Sequence, residues 1–278
     1  MGSGRNDGLD VACLRFHPTT QTRGLTTLFR SATRRIAVVN HKGGTGKTTT
    51  AVHLAAGLAE EGRRVLLVDA DPQGNVATWL GVDPAECRMA DLALGRMTLR
   101  DARVEVRGGL DVVASDWRLA EAEERLMKTP ERDQWLKRRL GRLTGYDFVI
   151  VDCAPSMSIL TSSALAFVDE VVIPISMEYL ALVGVRQIID NILRMNARNG
   201  REMRITAVVP TFYQANLRKN REILRSLRAY FHDRLTEPIR SNVRLSEAPS
   251  YGQTIFEYSP RSSGANDYRR LVERFSRA

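Results

Sequence analysis

Eight consecutive residues, Lys42-Gly43-Gly44-Thr45-Gly46-Lys47-Thr48-Thr49, carry the side chains and the backbone freedom that a polyphosphate demands. Gly43, Gly44 and Gly46 let backbone N–H groups converge on phosphate oxygens with no Cβ in the way. Lys47 has the reach and charge for the β- and γ-phosphates, the Thr48 hydroxyl is placed to ligate Mg²⁺, and Thr49 adds a donor for the α-phosphate. ATP with Mg²⁺ is the ligand this pattern predicts. The general phosphate-loop pattern asks for glycine five residues before the Gly46-Lys47 pair, where His41 stands instead. Lys42 is a second, surplus lysine. ATP and the transition state of its hydrolysis are rich in negative charge, which cations stabilise.

Two aspartate stations accompany the loop. Val65 to Asn75 reads Val-Leu-Leu-Val-Asp-Ala-Asp-Pro-Gln-Gly-Asn, so an apolar strand delivers Asp69 and Asp71 to its carboxyl end. In open α/β sheets that edge is where ligands bind. Asp69 is expected to hold the following loop or the water shell of the metal. Phe148-Val149-Ile150-Val151 ends in Asp152, a Walker B strand whose carboxylate would hold Mg²⁺ through water. Cys153 has no basic sequence neighbour to activate it and reads as a small buried apolar residue.

These stations must sit on strands joined by helices, and the chain supplies them in alternation. Strands are expected at 36–40, 65–69, 110–114, 148–152, 170–175 and 205–209, with a short extended piece at 254–257. Helices are expected at 48–61, ended by Gly62, and at 117–143, broken near Pro130. Further helices are expected at 159–167, 180–198, 217–231 and 265–277. The fold class is α/β, a single doubly wound domain with a mostly parallel sheet and helices on both faces. It spans 35–278. Residues 1–34, rich in Gly, Ser, Thr and Arg with Asp7 and Asp10 as their acids, read as a mostly disordered basic arm.

The helix expected over 217–231 carries Arg218, Arg221, Arg225 and Arg228 at spacings of three, four and three, on one stripe, with Glu222 as its single acid. Leu217, Leu224, Leu227 and Phe231 fall on another face, expected to pack inward. Lys219, Arg240 and Arg244 extend the basic surface. The whole chain carries a net charge of +9, which points to a polyanionic partner. The stripe suits nonspecific duplex DNA, since neutralised phosphates release counterions. No aromatic residues alternate with the arginines, so stacking on single strands is not suggested. Three dispersed cysteines argue against a disulfide framework or a zinc site, and no apolar run approaches the roughly 18 residues of a membrane span.

The loop, both aspartate stations and Asn242-Val243-Arg244-Leu245-Ser246-Glu247-Ala248-Pro249-Ser250-Tyr251-Gly252 together resemble the deviant Walker A ATPases of the ParA/MinD type, most closely the ParA/Soj partitioning ATPases. The resemblance runs from about Arg35 to the end. It implies that Lys42 reaches across an ATP-bound homodimer to the partner's nucleotide. It further implies that Asp71 orients the attacking water, that Asn242 lies beside the adenine and that Arg244 contributes to DNA binding. Two positions depart from the pattern: Ala154 replaces the first of two prolines after Asp152-Cys153, and Arg240 replaces a proline two residues before Asn242. The expected activity is slow ATP hydrolysis stimulated by a ParB-like protein, in the cytoplasm on a bacterial or archaeal nucleoid. The alternative is a MinD-like cycle on a membrane or a protein cargo, which the closing segment Tyr268 to Ala278, poor in apolar residues, does not favour.

Overall fold

The structure, a computed structural model, describes residues 32–130, 132–141, 143–178, 181–199 and 202–277. The arm expected over 1–34 lies outside the described residues up to residue 31. Thr33 and Arg34 already belong to the folded body, the Thr33 hydroxyl donating to the Tyr146 carbonyl at 2.8 Å.

Among the described residues seven strands form one sheet: β1 (Arg34–Val38), β2 (Val65–Ala70), β3 (Val104–Arg107), β4 (Leu110–Val113), β5 (Phe148–Cys153), β6 (Glu170–Ser176) and β7 (Arg204–Thr211). Their order is β3-β4-β2-β5-β1-β6-β7, all parallel except β3, which runs antiparallel to β4. Strands β2, β5 and β6 are buried along their whole length, which is why they read as continuous apolar runs and not as alternating ones. The edge strand β3 has four residues with partly exposed side chains, too short a segment to show a period in the sequence.

The helices are α1 (Lys47–Glu60), α2 (Asn75–Leu80), α3 (Met89–Leu94), α4 (Leu99–Ala102), α5 (Arg118–Leu126), α6 (Trp135–Leu140), α7 (Ile159–Phe167), α8 (Ala181–Asn199), α9 (Arg218–Phe231), α10 (Val243–Glu247), α11 (Ile255–Tyr258) and α12 (Ser263–Ser276). One face of the sheet is covered by α1, α2 and α12, and the other by α3 and α5 to α9. The helix α1 packs closely against α12: a Cβ added at Gly57 would meet Val272 Cγ2 at 2.4 Å.

The helical stretch expected over 117–143 breaks around Pro130 as expected, into α5 and α6 with a short 3₁₀ turn at Arg132–Gln134 between them. Two expectations are corrected. The extended piece expected over 254–257 is instead the start of α11. Thr254 and Glu257 form a capping box there, the Thr254 N–H donating to Glu257 Oε2 at 2.7 Å. The β-branched and aromatic residues of that segment mimic a strand, and the capping pair three residues apart overrides them. On α9 the inward face is Asn220, Ile223, Leu227 and Phe231, while Leu217 precedes the helix and is exposed.

Candidate functional site

The phosphate loop leaves β1 at the centre of the sheet. Asn40 Nδ2 donates to the Pro174 carbonyl at 2.6 Å and Asn40 Oδ1 accepts from the Lys42 N–H at 3.0 Å, so the loop starts from a fixed point between β1 and β6. Gly44 and Gly46 have φ of 69° and 82°, the left-handed region that glycine enters without strain. Cβ atoms added at Gly43 or Gly44 would meet nothing within 4 Å, so the concave side of the loop is open. No side chain caps the N-terminus of α1, whose first N–H groups and positive dipole end therefore face the loop. The Thr211 hydroxyl at the end of β7 donates to the Thr45 carbonyl at 2.9 Å and braces the loop from outside.

Both lysines converge here. Lys47 is buried and its Nζ donates to the Lys42 carbonyl at 3.2 Å. Burial lowers its pKa, and the carboxylates of Asp152 and Asp71 oppose that shift. Lys42 is half-exposed, and its ammonium forms an ion pair with Glu178, just beyond the end of β6. His41 is tied to α8 through Asn191 Nδ2, 3.0 Å from its Nε2, which fixes the imidazole as the acceptor. Thr48 and Thr49 lie in the first turn of α1, Thr48 facing Asp152.

The three aspartates lie where the strand ends meet. Asp69 and Asp152 are register partners on β2 and β5, both fully buried. Asp69 Oδ1 accepts from the Asp71 N–H at 3.1 Å and Oδ2 from the Val76 N–H at 3.3 Å, so Asp69 holds the loop that carries Asp71. Burial first, and then the Asp152 carboxylate, raise its pKa well above the usual carboxylate range. Neither carboxylate oxygen of Asp152 has a hydrogen-bond partner of normal geometry. Burial pushes its pKa up to about 7; Asp71 adds to the rise, and Thr48 and Lys47 oppose it. A buried, unpartnered carboxylate beside a hydroxyl and an open loop is a poor structural element and a good counter-charge for a cation. Asp71 is buried and oriented by the Gln73 N–H, which donates to its Oδ1 at 3.0 Å. Burial raises the pKa of the Cys153 thiol, which leaves it unreactive.

The loop carrying Asp71 turns at Gly74, φ 63°, where an added Cβ would meet the Ser115 carbonyl oxygen at 2.5 Å. Gly74→Ala is expected to cost on the order of 2 kcal/mol through strain and overlap. A melting curve would show this as a fall of about 4–8 °C; an unchanged melting temperature would mean that the turn relaxes freely.

Behind the loop, His53 of α1 is fully buried against Trp79, Phe256 and Tyr268. Its Nδ1 donates to the Thr49 carbonyl at 2.6 Å, and its Nε2 accepts from the Ile255 N–H at 2.9 Å. The ring thus joins the first turn of α1 to the C-terminal segment. In that segment Asn242 caps α10, its Oδ1 accepting from the Arg244 N–H at 2.8 Å while its Nδ2 donates to Ser263 Oγ at 2.7 Å. Arg240 is no free surface charge: its guanidinium is paired with buried Asp267, and its own N–H donates to Asp267 Oδ2 at 2.9 Å, a bond that proline could not make. Sequence reasoning missed Glu178, Thr211 and His53, because their partners are remote in the chain.

The basic stripe of α9 is exposed as expected. Arg218 pairs with Glu222 at 2.8 Å, Arg221 Nη1 donates to the Ala215 carbonyl at 2.7 Å, and Arg228 lies 3.7 Å from Glu237. Lys219 and Arg225 are exposed on the same helix. Arg244, on α10, pairs with Glu247 at 2.8 Å. The stripe lies on a helix that begins seven residues after β7 ends at Thr211, and Lys219 near its start acts on Glu178, the ion-pair partner of Lys42.

A glycine loop between a central strand and a helix, with a carboxylate on the neighbouring strand, defines a P-loop nucleotide-binding protein. Residues 33–205 match the family described as AAA domain. The sporulation initiation inhibitor protein Soj of Bacillus subtilis is 40% identical over 243 residues, covering 86% of this chain and 96% of the relative. The chromosome partitioning protein ParA of Caulobacter vibrioides is 37% identical over 246 residues, covering 86% and 92%. Among solved structures, cobyrinic acid a,c-diamide synthase from Mycobacterium smegmatis, with bound ATP analog and magnesium, superposes with a TM-score of 0.76 at 33% identity, covering 88% of this chain and 95% of that one. The chain belongs to the ParA/MinD-type P-loop ATPases.

Proposed function

We propose that this protein is an ATP-driven partitioning switch that dimerises on ATP-Mg²⁺, binds DNA without sequence preference and lets go on hydrolysis. The observation that carries the nucleotide half is the convergence of buried Lys47, the unpartnered Asp152 carboxylate and Asp71 beneath an open glycine loop. The relatives named Soj and ParA support the partitioning half.

Gly43 to Thr49 would bind the phosphates through backbone N–H groups and Lys47. Thr48 and Asp152 would hold Mg²⁺, Asp152 through water, as suits an ion that keeps several waters. The metal would neutralise charge developing on the phosphate oxygens. Asp71, oriented by Gln73 and carried on a loop fixed by Asp69, would orient the attacking water. Lys42 would exchange Glu178 for the partner subunit's nucleotide, so Glu178 holds the surplus cation in place before the dimer closes. Asn242, with both ends of its amide engaged, would support the adenine side through the position of its segment.

Two subunits in one dimer would present two stripes of Arg218, Lys219, Arg221, Arg225 and Arg228, together with Arg244, and doubling the phosphate contacts raises DNA affinity steeply. A ParB-like protein would stimulate hydrolysis in the cytoplasm, on the nucleoid. A membrane cycle is less well supported. The apolar face of α12, with Tyr268, Leu271, Val272 and Phe275, is packed on α1, and among the described residues no helix is long and apolar enough to cross a membrane.

Binding to random-sequence duplex DNA, measured with no nucleotide, ADP and ATP at two salt concentrations, tests this reading. Tight, salt-sensitive binding is expected with ATP alone; equal affinity in all three states would sink it. Arg221→Ala with Arg225→Ala should lower the slope of log affinity against log salt by about four for the dimer, since each of its two subunits loses two arginines, if each arginine contacts one phosphate.

A further inference from the structure

The loop that follows β5 is held at its two ends and not between them. Residues 154–158 leave the strand just after Asp152 and Cys153 and enter α7 at Ile159. Pro155, Ser156 and Met157 are exposed. Among the described residues, Ala154, Pro155, Ser156 and Met157 make no hydrogen bond. Open space borders the loop twice. A cleft of about 870 Å³ is lined by Met157 and Ser158 together with Glu123 of α5. A second, of about 420 Å³, is lined by Pro155 and Met157 together with His41, at the start of the phosphate loop. Packing therefore does not fix the course of the loop.

The far end is anchored from another element. Glu123 Oε1 accepts from the Ile159 N–H at 3.1 Å, 36 residues away in the chain. Ser158, the local cap of α7, accepts from the Leu160 N–H at 3.2 Å, so Glu123 takes a donor that the helix's own cap leaves free. The positive end of the α7 dipole favours a carboxylate there. Helix α5 is a firm support, since its Leu119, Ala122 and Leu126 are buried in the core. The near end of the loop leaves from the metal end of the site, where Asp152 faces Thr48. Ala154 stands where the family pattern has a proline, whose fixed φ would stiffen the loop. A loop without packing, hydrogen bonds or that proline takes its course from where its ends are held.

We infer that Glu123 is a positioning residue for the Mg²⁺ end of the nucleotide site, acting through the Ile159 N–H and the 154–158 loop. The inference rests on the ATP-Mg²⁺ reading above and adds to it a residue of α5 that touches neither ligand.

The test is calorimetric binding of a non-hydrolysable ATP analogue, with Mg²⁺ and with EDTA, to the full chain and to Glu123→Ala and Glu123→Gln. Glu123→Ala is expected to weaken binding with Mg²⁺ on the order of tenfold, the low end of the cost of lost support behind a metal ligand, and to leave binding in EDTA within about twofold. Retained binding in EDTA also shows that the variant is folded. Glu123→Gln keeps an acceptor oxygen for the Ile159 N–H and loses only the charge facing the helix dipole, so its affinity with Mg²⁺ should stay within about threefold of the wild type. Unchanged affinity with Mg²⁺ in Glu123→Ala would overturn the proposal. So would an equal loss with Mg²⁺ and with EDTA, which would make the cap a general support of the fold. Glu123→Gln as weak as Glu123→Ala would assign the effect to charge and overturn it too. Wild-type protein that binds the analogue equally well with Mg²⁺ and with EDTA would instead sink the metal site itself, and this inference with it.

Discussion

Asp71→Ala should bind ATP-Mg²⁺ as the wild type does and turn it over roughly 10²–10⁴-fold more slowly, the range for loss of one positioned group that handles a reacting water. The geometry supports separate effects on binding and on rate. Asp71 donates nothing to the phosphate loop, and its own bonds run to Gln73 and, through its N–H, to Asp69. Removing its carboxylate also removes a negative charge near Lys47 and Asp152, which favours a polyphosphate. If DNA binding follows the ATP-bound dimer, the variant should stay on DNA long after the wild type has hydrolysed its nucleotide and dissociated. Single-turnover hydrolysis and DNA dissociation, measured in the same samples, check both halves. A variant with wild-type turnover would move the role to another group; one that no longer binds ATP would place Asp71 in the binding site.

Acid should destabilise this fold through His53. Its pKa is lowered from 6.5 to about 4, chiefly by burial, against the opposing hydrogen bond to Thr49. Above pH 6.5 the folded and unfolded chains both carry a neutral imidazole, and the full stability is present. As the pH falls from 6.5 to about 4, only the unfolded chain takes up the proton, so stability is lost across that window; below it both forms are protonated and the loss stops. The shift corresponds to about 3 kcal/mol, or about 6–12 °C in melting temperature. His53→Gln should be less stable at neutral pH, since Thr49 and Ile255 lose well-placed partners. Its deficit should shrink as the pH approaches 4. Melting curves of the two proteins that run parallel from pH 7 to pH 4 would show that His53 is not the group responsible.

Ion pairs between remote residues form only in the folded chain, and they set the surroundings of several site residues. Lys42 was legible as a surplus cation, but its partner Glu178 lies 136 residues away. Arg240 was legible as a departure from a family pattern, yet only packing shows it bound to Asp267 and not adding charge to the surface. On α9 the arginine spacing correctly placed the exposed stripe, because a helix fixes which residues share a face. The inward face differs from the spacing at its N-terminal end, because Leu217 lies before the helix begins.

The sequence by itself determined the phosphate loop, the aspartate stations and the alternation of strands and helices. Each is a local pattern: glycines next to a lysine, a carboxylate after an apolar run, a period of buried strands, all read within a dozen residues. Tertiary structure alone decided that Asp152 is buried without a partner, that Asp69 holds the Asp71 loop and that His53 ties α1 to Ile255 across 202 residues. It also decided that Glu123 of α5 holds the Ile159 N–H at the end of a loop with open space beside it. Burial and hydrogen bonding between remote segments depend on which strands become neighbours in the sheet, and no local spacing encodes that order.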